Sequence, residues 1–140
     1  MLQHKELKEL KLITPVGRRL YLTAVLSFCY GLSETDLQVL QWLIEHEGMY
    51  SVDDLTKEFK LSRATINRVL SKLADAELVK KEKQRYRGNV PGGKRTGRPR
   101  YIYYVDKKEL YEKLVQDISM CAEEIMKFVS EYLREEIGEE

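Results

Sequence analysis

The sequence predicts a mainly α fold carrying one small β-hairpin, an α+β arrangement in a chain of 140 residues. Three observations predict it. Residues suited to cap a helix stand ahead of five apolar-periodic stretches, at Thr14, Ser33, Ser51, Ser62 and Asp106. Tyr101, Tyr103 and Val105 alternate as a half-buried strand does, and a run beginning at Leu78 and Val79 reads as its partner. Between those two strands lies a loop punctuated by Gly88, Pro91, Gly92, Gly93, Gly97 and Pro99, so they form a long-looped hairpin.

Composition narrows the class. A hydrophobic fraction of 43% supports a real core in one ordinary domain. The first residues, MLQHKELKELK, are polar and charged, so no signal peptide is expected. The most apolar run, Leu20 to Leu32, falls short of the roughly 20 residues that cross a bilayer as a helix, and a cytoplasmic protein away from the membrane is expected. Cys29 and Cys121 lie far apart, outside any CxxC spacing, each on an apolar helix face. They read as buried inert thiols, with no disulfide framework and no metal ligand set. His4 and His46 stand alone, and no GxxxxGK[ST] phosphate loop occurs. Neither an enzyme nor a cofactor site is expected.

Taken in order, residues 1–13 repeat leucine at Leu2, Leu7 and Leu10 among lysines and glutamates, which permits a frayed or docked helix. Thr14 and Pro15 read as a helix start, Thr as N-cap and Pro at the first helical position. That helix is expected to run to about Tyr30 and to stop at Gly31. Val16, Leu20, Ala24 and Phe28 lie four apart on one face, while Leu22, Val25, Leu26 and Cys29 make much of the rest apolar. A helix hydrophobic nearly all round needs cover on more than one side, which in so small a protein points to a partner subunit.

Ser33 caps a second helix, with Asp36 three positions on and Leu37, Leu40, Trp42, Leu43 and Ile44 on its apolar side, ending at Gly48. Ser51 caps a short third helix, whose first turn holds Asp53 and Asp54 where the helix dipole favours anions. Leu55 and Phe59 are its inward residues. Lys60 and Leu61 make a turn, and Ser62 caps a fourth helix to about Ala76, with Ile66, Val69, Leu70 and Leu73 inward. Asp106 caps a final helix reaching about Ile137. Its Leu114, Ile118, Cys121, Ile125, Phe128 and Tyr132 follow the 4-3-4-3-4 spacing of a coiled-coil seam.

Three short helices with a tight turn between the last two make a helix-turn-helix pattern, to which the hairpin adds a wing. The stretch LTKEFKLSRATINRVLSKLADAELVKKE, followed by GRPRYIYYV, resembles the winged helix-turn-helix of prokaryotic transcription regulators, the MarR-like and TrmB-like groups and the small archaeal Lrs14-like regulators. The likeness covers about residues 32–105. Glu77 departs from it, standing where many relatives have glycine, so the fourth helix is expected to end without a left-handed glycine. The resemblance implies double-stranded DNA as partner, a homodimer, and in MarR-type relatives often a ligand between the dimer arms and the DNA-binding part. Here the apolar first helix could line such an effector pocket or be filled with core side chains.

Charge points the same way. Between Ser62 and Asp106 twelve Lys and Arg face four Asp and Glu, a local balance of +8 in a chain of net +1. Such concentration is the electrostatic footprint of nucleic-acid binding. On the fourth helix the outward residues include base-reading types, so Arg63, Thr65 and Asn67 are candidates for bases, and Ser62, Arg68 and Lys72 for phosphates. In the wing, Arg85, Arg87, Lys94, Arg95, Arg98 and Arg100 carry no acid among them. Gly97-Arg98-Pro99 resembles the core of minor-groove AT-hook peptides. Arg95 or Arg98 is therefore a candidate for the minor groove, with phosphate contact as the equal alternative. Tyr101, Tyr103 and Tyr104 could stack bases, but a strand's ordinary preference for aromatics explains them.

The segment from Lys107 to Glu140 carries five basic and ten acidic residues, so it repels nucleic acid and reads as a dimer arm. The expected organisation is an N-terminal helical dimerisation segment (1–31), a winged helix-turn-helix (32–106) and a long C-terminal dimerisation helix (107–140). Leu20, Ala24 and Phe28 join Leu114, Ile118, Cys121, Ile125, Phe128 and Tyr132 as the expected interface. The expected function is sequence-selective DNA binding as a homodimeric transcription regulator. The alternatives are an architectural, chromatin-type DNA binder and a winged-helix protein-interaction module.

Overall fold

The structure, a computed structural model, describes residues 7–84 and 100–138. A single 3-10 turn at Leu7–Glu9 leads into strands β1 (Lys11–Ile13) and β2 (Arg19–Tyr21), then helices α1 (Leu22–Tyr30) and α2 (Glu34–Glu45). Strand β3 (Tyr50–Ser51) follows, then α3 (Val52–Phe59), α4 (Arg63–Asp75), β4 (Lys80–Gln84), β5 (Arg100–Tyr104) and α5 (Lys107–Ile137).

The N-terminal segment corrects the sequence reading. Thr14 and Pro15 open no helix; they form the turn of an antiparallel hairpin that pairs Lys11 with Tyr21, Leu12 with Leu20 and Ile13 with Arg19. The Thr14 amide donates to the Arg18 carbonyl (2.8 Å), the Gly17 amide to the Thr14 carbonyl (2.9 Å), and the Arg18 amide to Thr14 Oγ1 (3.1 Å). Proline at the second position of a turn and glycine at the fourth suit this geometry as well as proline suits a helix start. Gly17, with φ +77°, takes the left-handed conformation that a helix interior would not allow. Leu20 therefore stands on a strand, and the helix begins only at Leu22. Its expected stop holds, since Gly31 is left-handed (φ 67°).

The middle of the chain folds as its caps dictate. Ser33 and Asp36 form a reciprocal capping box at α2, and Ser51 and Asp54 form another at α3. The amide of Thr65 donates to Ser62 Oγ (3.1 Å) at α4. Val39, Leu40 and Leu43 of α2, Leu55 of α3, and Ile66, Val69, Leu70 and Leu73 of α4 meet in one buried cluster with Leu78, Val79, Tyr103 and Leu110. Each fully buried aliphatic side chain of this kind contributes roughly 1.5–3 kcal/mol.

The turn after α4 resolves the position of Glu77. The Leu78 amide donates to the Leu73 carbonyl (3.0 Å) and the Glu77 amide to the Ala74 carbonyl (3.0 Å), while Leu73 and Leu78 are both buried. This is a Schellman ending, and it needs a left-handed residue at 77. Glutamate supplies it at φ 62°. The left-handed stop is present after all, without the glycine.

The wing is one strand richer than expected. β5 lies centrally between β3 and β4, both antiparallel, with Tyr50 opposite Tyr103 and Lys81 opposite Tyr103 on the other side. Leu78 and Val79 are buried just ahead of β4 rather than within it. Burial along β5 does not alternate as the tyrosines suggested: Ile102 and Tyr103 are both buried, whereas Tyr101 is exposed. A central strand has two covered edges and takes cover from both faces.

The cysteine expectation is overturned. Cys29 of α1 and Cys121 of α5 form a disulfide across 92 residues, with Cα atoms 5.9 Å apart. Beside it the Tyr30 hydroxyl donates to Asp117 Oδ2 (2.8 Å), and burial together with that carboxylate raises the Tyr30 pKa well above its ordinary value. α1 is thus stapled to the first half of α5. Leu114 packs against the core, while Ile125, Phe128 and Tyr132 further along α5 are exposed, as are Ala24 and Phe28 of α1. Asp106 Oδ1 caps α5 by accepting from the Lys108 and Glu109 amides (both 3.1 Å).

Candidate nucleic-acid interface

The candidate site is built on α4. Its inward residues sit three and four apart, so the remaining positions are forced onto one outward strip. Lys60, left-handed at φ 55°, closes α3, and two residues later Ser62 opens α4. Arg63, Asn67 and Ser71 follow at four-residue intervals along the exposed side, flanked by Arg68 and Lys72. Ala64, between them, keeps the strip low. At 1.5 Å per residue α4 is roughly 20 Å long, enough to lie along a major groove.

Two of the candidate residues are occupied locally. Ser62 Oγ accepts the Thr65 amide and donates to Thr65 Oγ1 (2.9 Å), so both hydroxyls serve the cap and Thr65 is half-buried. The cations divide into held and open. Arg63 Nη1 pairs with Asp53 Oδ1 of α3. Lys72 Nζ pairs with Asp36 Oδ2 of α2 (2.9 Å), whose carboxylate is buried. Arg100 Nη2 donates to Ser51 Oγ (2.9 Å), the N-cap of α3. Asn67 and Arg68 point outward with no side-chain partner among the described residues.

Electrostatics follow from these pairings. Burial alone would raise the Asp36 pKa, but the hydrogen bonds from Lys72 and the Ser33 amide outweigh it and hold the carboxyl below its ordinary value of 3.8. The Ser51 amide is the main cause that lowers the Asp54 pKa, and Arg100 adds to it. On β4, Lys80 pairs with Glu109 of α5 (2.5 Å), and Lys81 lies over the Tyr101 ring, 4.2 Å from its centre. Arg85, Arg87, Lys94, Arg95 and Arg98 lie outside the described residues; of the wing cations named from sequence, Arg100 is placed.

Asp36, Asp53 and Ser51 are the functional neighbours that sequence reading missed. Their capping and dipole roles were evident, but their second role depends on which helix packs beside them. Among the described residues no group of three or more His, Cys, Asp or Glu is placed to hold a metal ion. No helix among them is long and apolar enough to cross a membrane. An open groove of about 390 Å³ runs beside Thr23, Leu37, Gln38, Trp42 and Phe59, between α1 and the helix-turn-helix.

A three-helix unit with a tight α3–α4 turn, a hairpin strand after α4 and an outward basic strip defines a winged helix-turn-helix protein. The sequence model of the sugar-specific transcriptional regulators named TrmB matches residues 26–108. The chain belongs to that family and is a DNA-binding transcriptional regulator. Solved structures agree on the fold. A possible transcriptional regulator from Methanosarcina mazei superposes with a TM-score of 0.68 at 20% identity, over 88% of this chain and 97% of its own. A protein from the thermoacidophilic archaeon Sulfolobus tokodaii gives 0.62 at 26% identity, over 76% of this chain and 93% of its own. No curated protein sequence matches the chain at comparable significance.

Proposed function

We propose that the protein acts as a homodimeric, sequence-selective regulator, with α4 in the major groove and the arginine-rich wing on the backbone or in the minor groove. The observation that carries this reading is the outward strip of α4. Arg63, Asn67 and Arg68 stand exposed on a helix whose opposite side is wholly buried. Asn matches adenine and Arg matches guanine in the major groove, while Arg68, Arg100 and the wing cations supply phosphate contacts.

The dimer is supported by the apolar surface left on the arms. Phe28 is 71% exposed, Phe128 67% and Tyr132 62%, a degree of exposure unusual for residues of this size. The 31-residue α5 extends beyond the core by several turns and is acidic, so it faces a second subunit rather than DNA. An effector would sit in the groove beside Trp42, where it touches both α1 and the helix-turn-helix.

Selection of bound duplexes from a random pool tests the reading. A palindrome with half-sites about one helical turn apart is expected. Enrichment of A·T-rich DNA without a palindrome would instead favour an architectural binder, and no enrichment with no affinity at low salt would overturn DNA recognition by this face.

A further inference from the structure

We propose that Asp53 is a specificity-determining residue: it holds one edge of the Arg63 guanidinium, so that the other edge is aimed at a base rather than at the nearest phosphate. The inference rests on the reading of α4 as the recognition helix.

Asp53 and Arg63 belong to different helices, the first turn of α3 and the first turn of α4. The contact joins Asp53 Oδ1 to Arg63 Nη1, and both side chains are more than half exposed. An exposed pair of this kind adds little to stability. Nor does α3 need Asp53 as a cap, because Asp54 completes the capping box with Ser51. What Asp53 does is place a negative charge at the front of a surface that otherwise attracts DNA.

Two consequences follow from the shape of guanidinium. It carries five N–H donors in a rigid fork, of which a single carboxylate oxygen at Nη1 takes one. Enough donors remain for a bidentate contact to guanine O6 and N7, and the held side chain loses less rotamer freedom when it makes that contact. A phosphate approaching the same arginine meets the Asp53 charge instead, so backbone contact is disfavoured at this position. The same turn repeats the device on a second cation, with Arg100 against Ser51 Oγ and close to Asp54. The first turn of α3 therefore braces a side chain from α4 and another from the wing strand.

The test compares Asp53→Asn, Arg63→Ala and the double variant on a selected duplex and on a scrambled duplex, with thermal unfolding of each protein alongside. Asp53→Asn is expected to tighten binding to the scrambled duplex and to steepen its salt dependence by about one unit of slope. It is expected to lower the selected-to-scrambled ratio about tenfold, the scale of one bidentate base contact. Added to Arg63→Ala it should change that ratio no further. An unchanged ratio in Asp53→Asn, or an equal rise on both duplexes, overturns the proposal while Arg63→Ala still lowers the ratio. If Arg63→Ala leaves the ratio unchanged, the base-reading role of Arg63 falls and this proposal with it.

Discussion

Asp36 shows how much one residue can carry. It completes the α2 cap through the Ser33 amide (2.8 Å) and anchors Lys72 of α4 (2.9 Å), so it ties α2 to α4. Its folded pKa lies below the unfolded value. The stability it contributes is therefore present above the unfolded pKa, near about 3.9, and is lost as pH falls through the folded one. Acid unfolding is expected to set in below about pH 4. Asp36→Asn should lower stability at neutral pH and flatten that acid dependence; an acid-unfolding curve identical in shape to wild type would contradict it. Glu77 makes the opposite case. A side chain in the left-handed region costs about 1–2 kcal/mol, and the pairing of exposed Glu77 with half-buried Lys113 at 3.2 Å returns only a fraction of that. Glu77→Gly should therefore stabilise the protein by about 0.5–1 kcal/mol, a few degrees in a thermal melt.

At the scale of elements, what was legible in the sequence was local. Ser33, Ser51, Ser62 and Asp106 announced their helices because a cap and its first turn lie within four residues of each other. The inward face of α4 was readable from spacing alone, and with it the outward strip. Pro15 misled because proline fits both a helix start and a turn, and Gly17 was the residue that decided between them. β3 is two residues long and exists only because β5 pairs with it, so no window of sequence contains it. The Cys29–Cys121 bond depends on α1 crossing α5, a contact between residues 92 apart. In the chain-entropy model a loop of that length makes the bond worth about 4–5 kcal/mol, chiefly through the unfolded chain. Reduction, or Cys29→Ser with Cys121→Ser, should lower the unfolding midpoint measurably and leave DNA binding at low temperature intact, since the bond touches no α4 residue. Two titratable thiols in the native unreduced protein would contradict this.

The whole molecule separates its charge. The region from Ser62 to Asp106 carries +8, while the tail from Lys107 is net acidic by five, from five basic and ten acidic residues. In the sequence, positive charge gathers on α4 and the stretch that follows it, and negative charge on the tail that forms α5. The tertiary fold adds what the linear pattern does not show: acids of α2 and α3 pair with cations of α4, Asp36 with Lys72 and Asp53 with Arg63. The surface is thus less positive than its composition, and its affinity should depend on which cations are released to the duplex.

The most direct test of the central claim, that the outward strip of α4 reads bases, is equilibrium binding of the Arg63→Ala, Asn67→Ala double variant to a selected and a scrambled duplex at fixed salt. Loss of roughly 30- to 25,000-fold on the selected duplex, with a much smaller change on the scrambled one, is predicted from two base contacts. Equal losses on both duplexes, or no loss on the selected one, would contradict it.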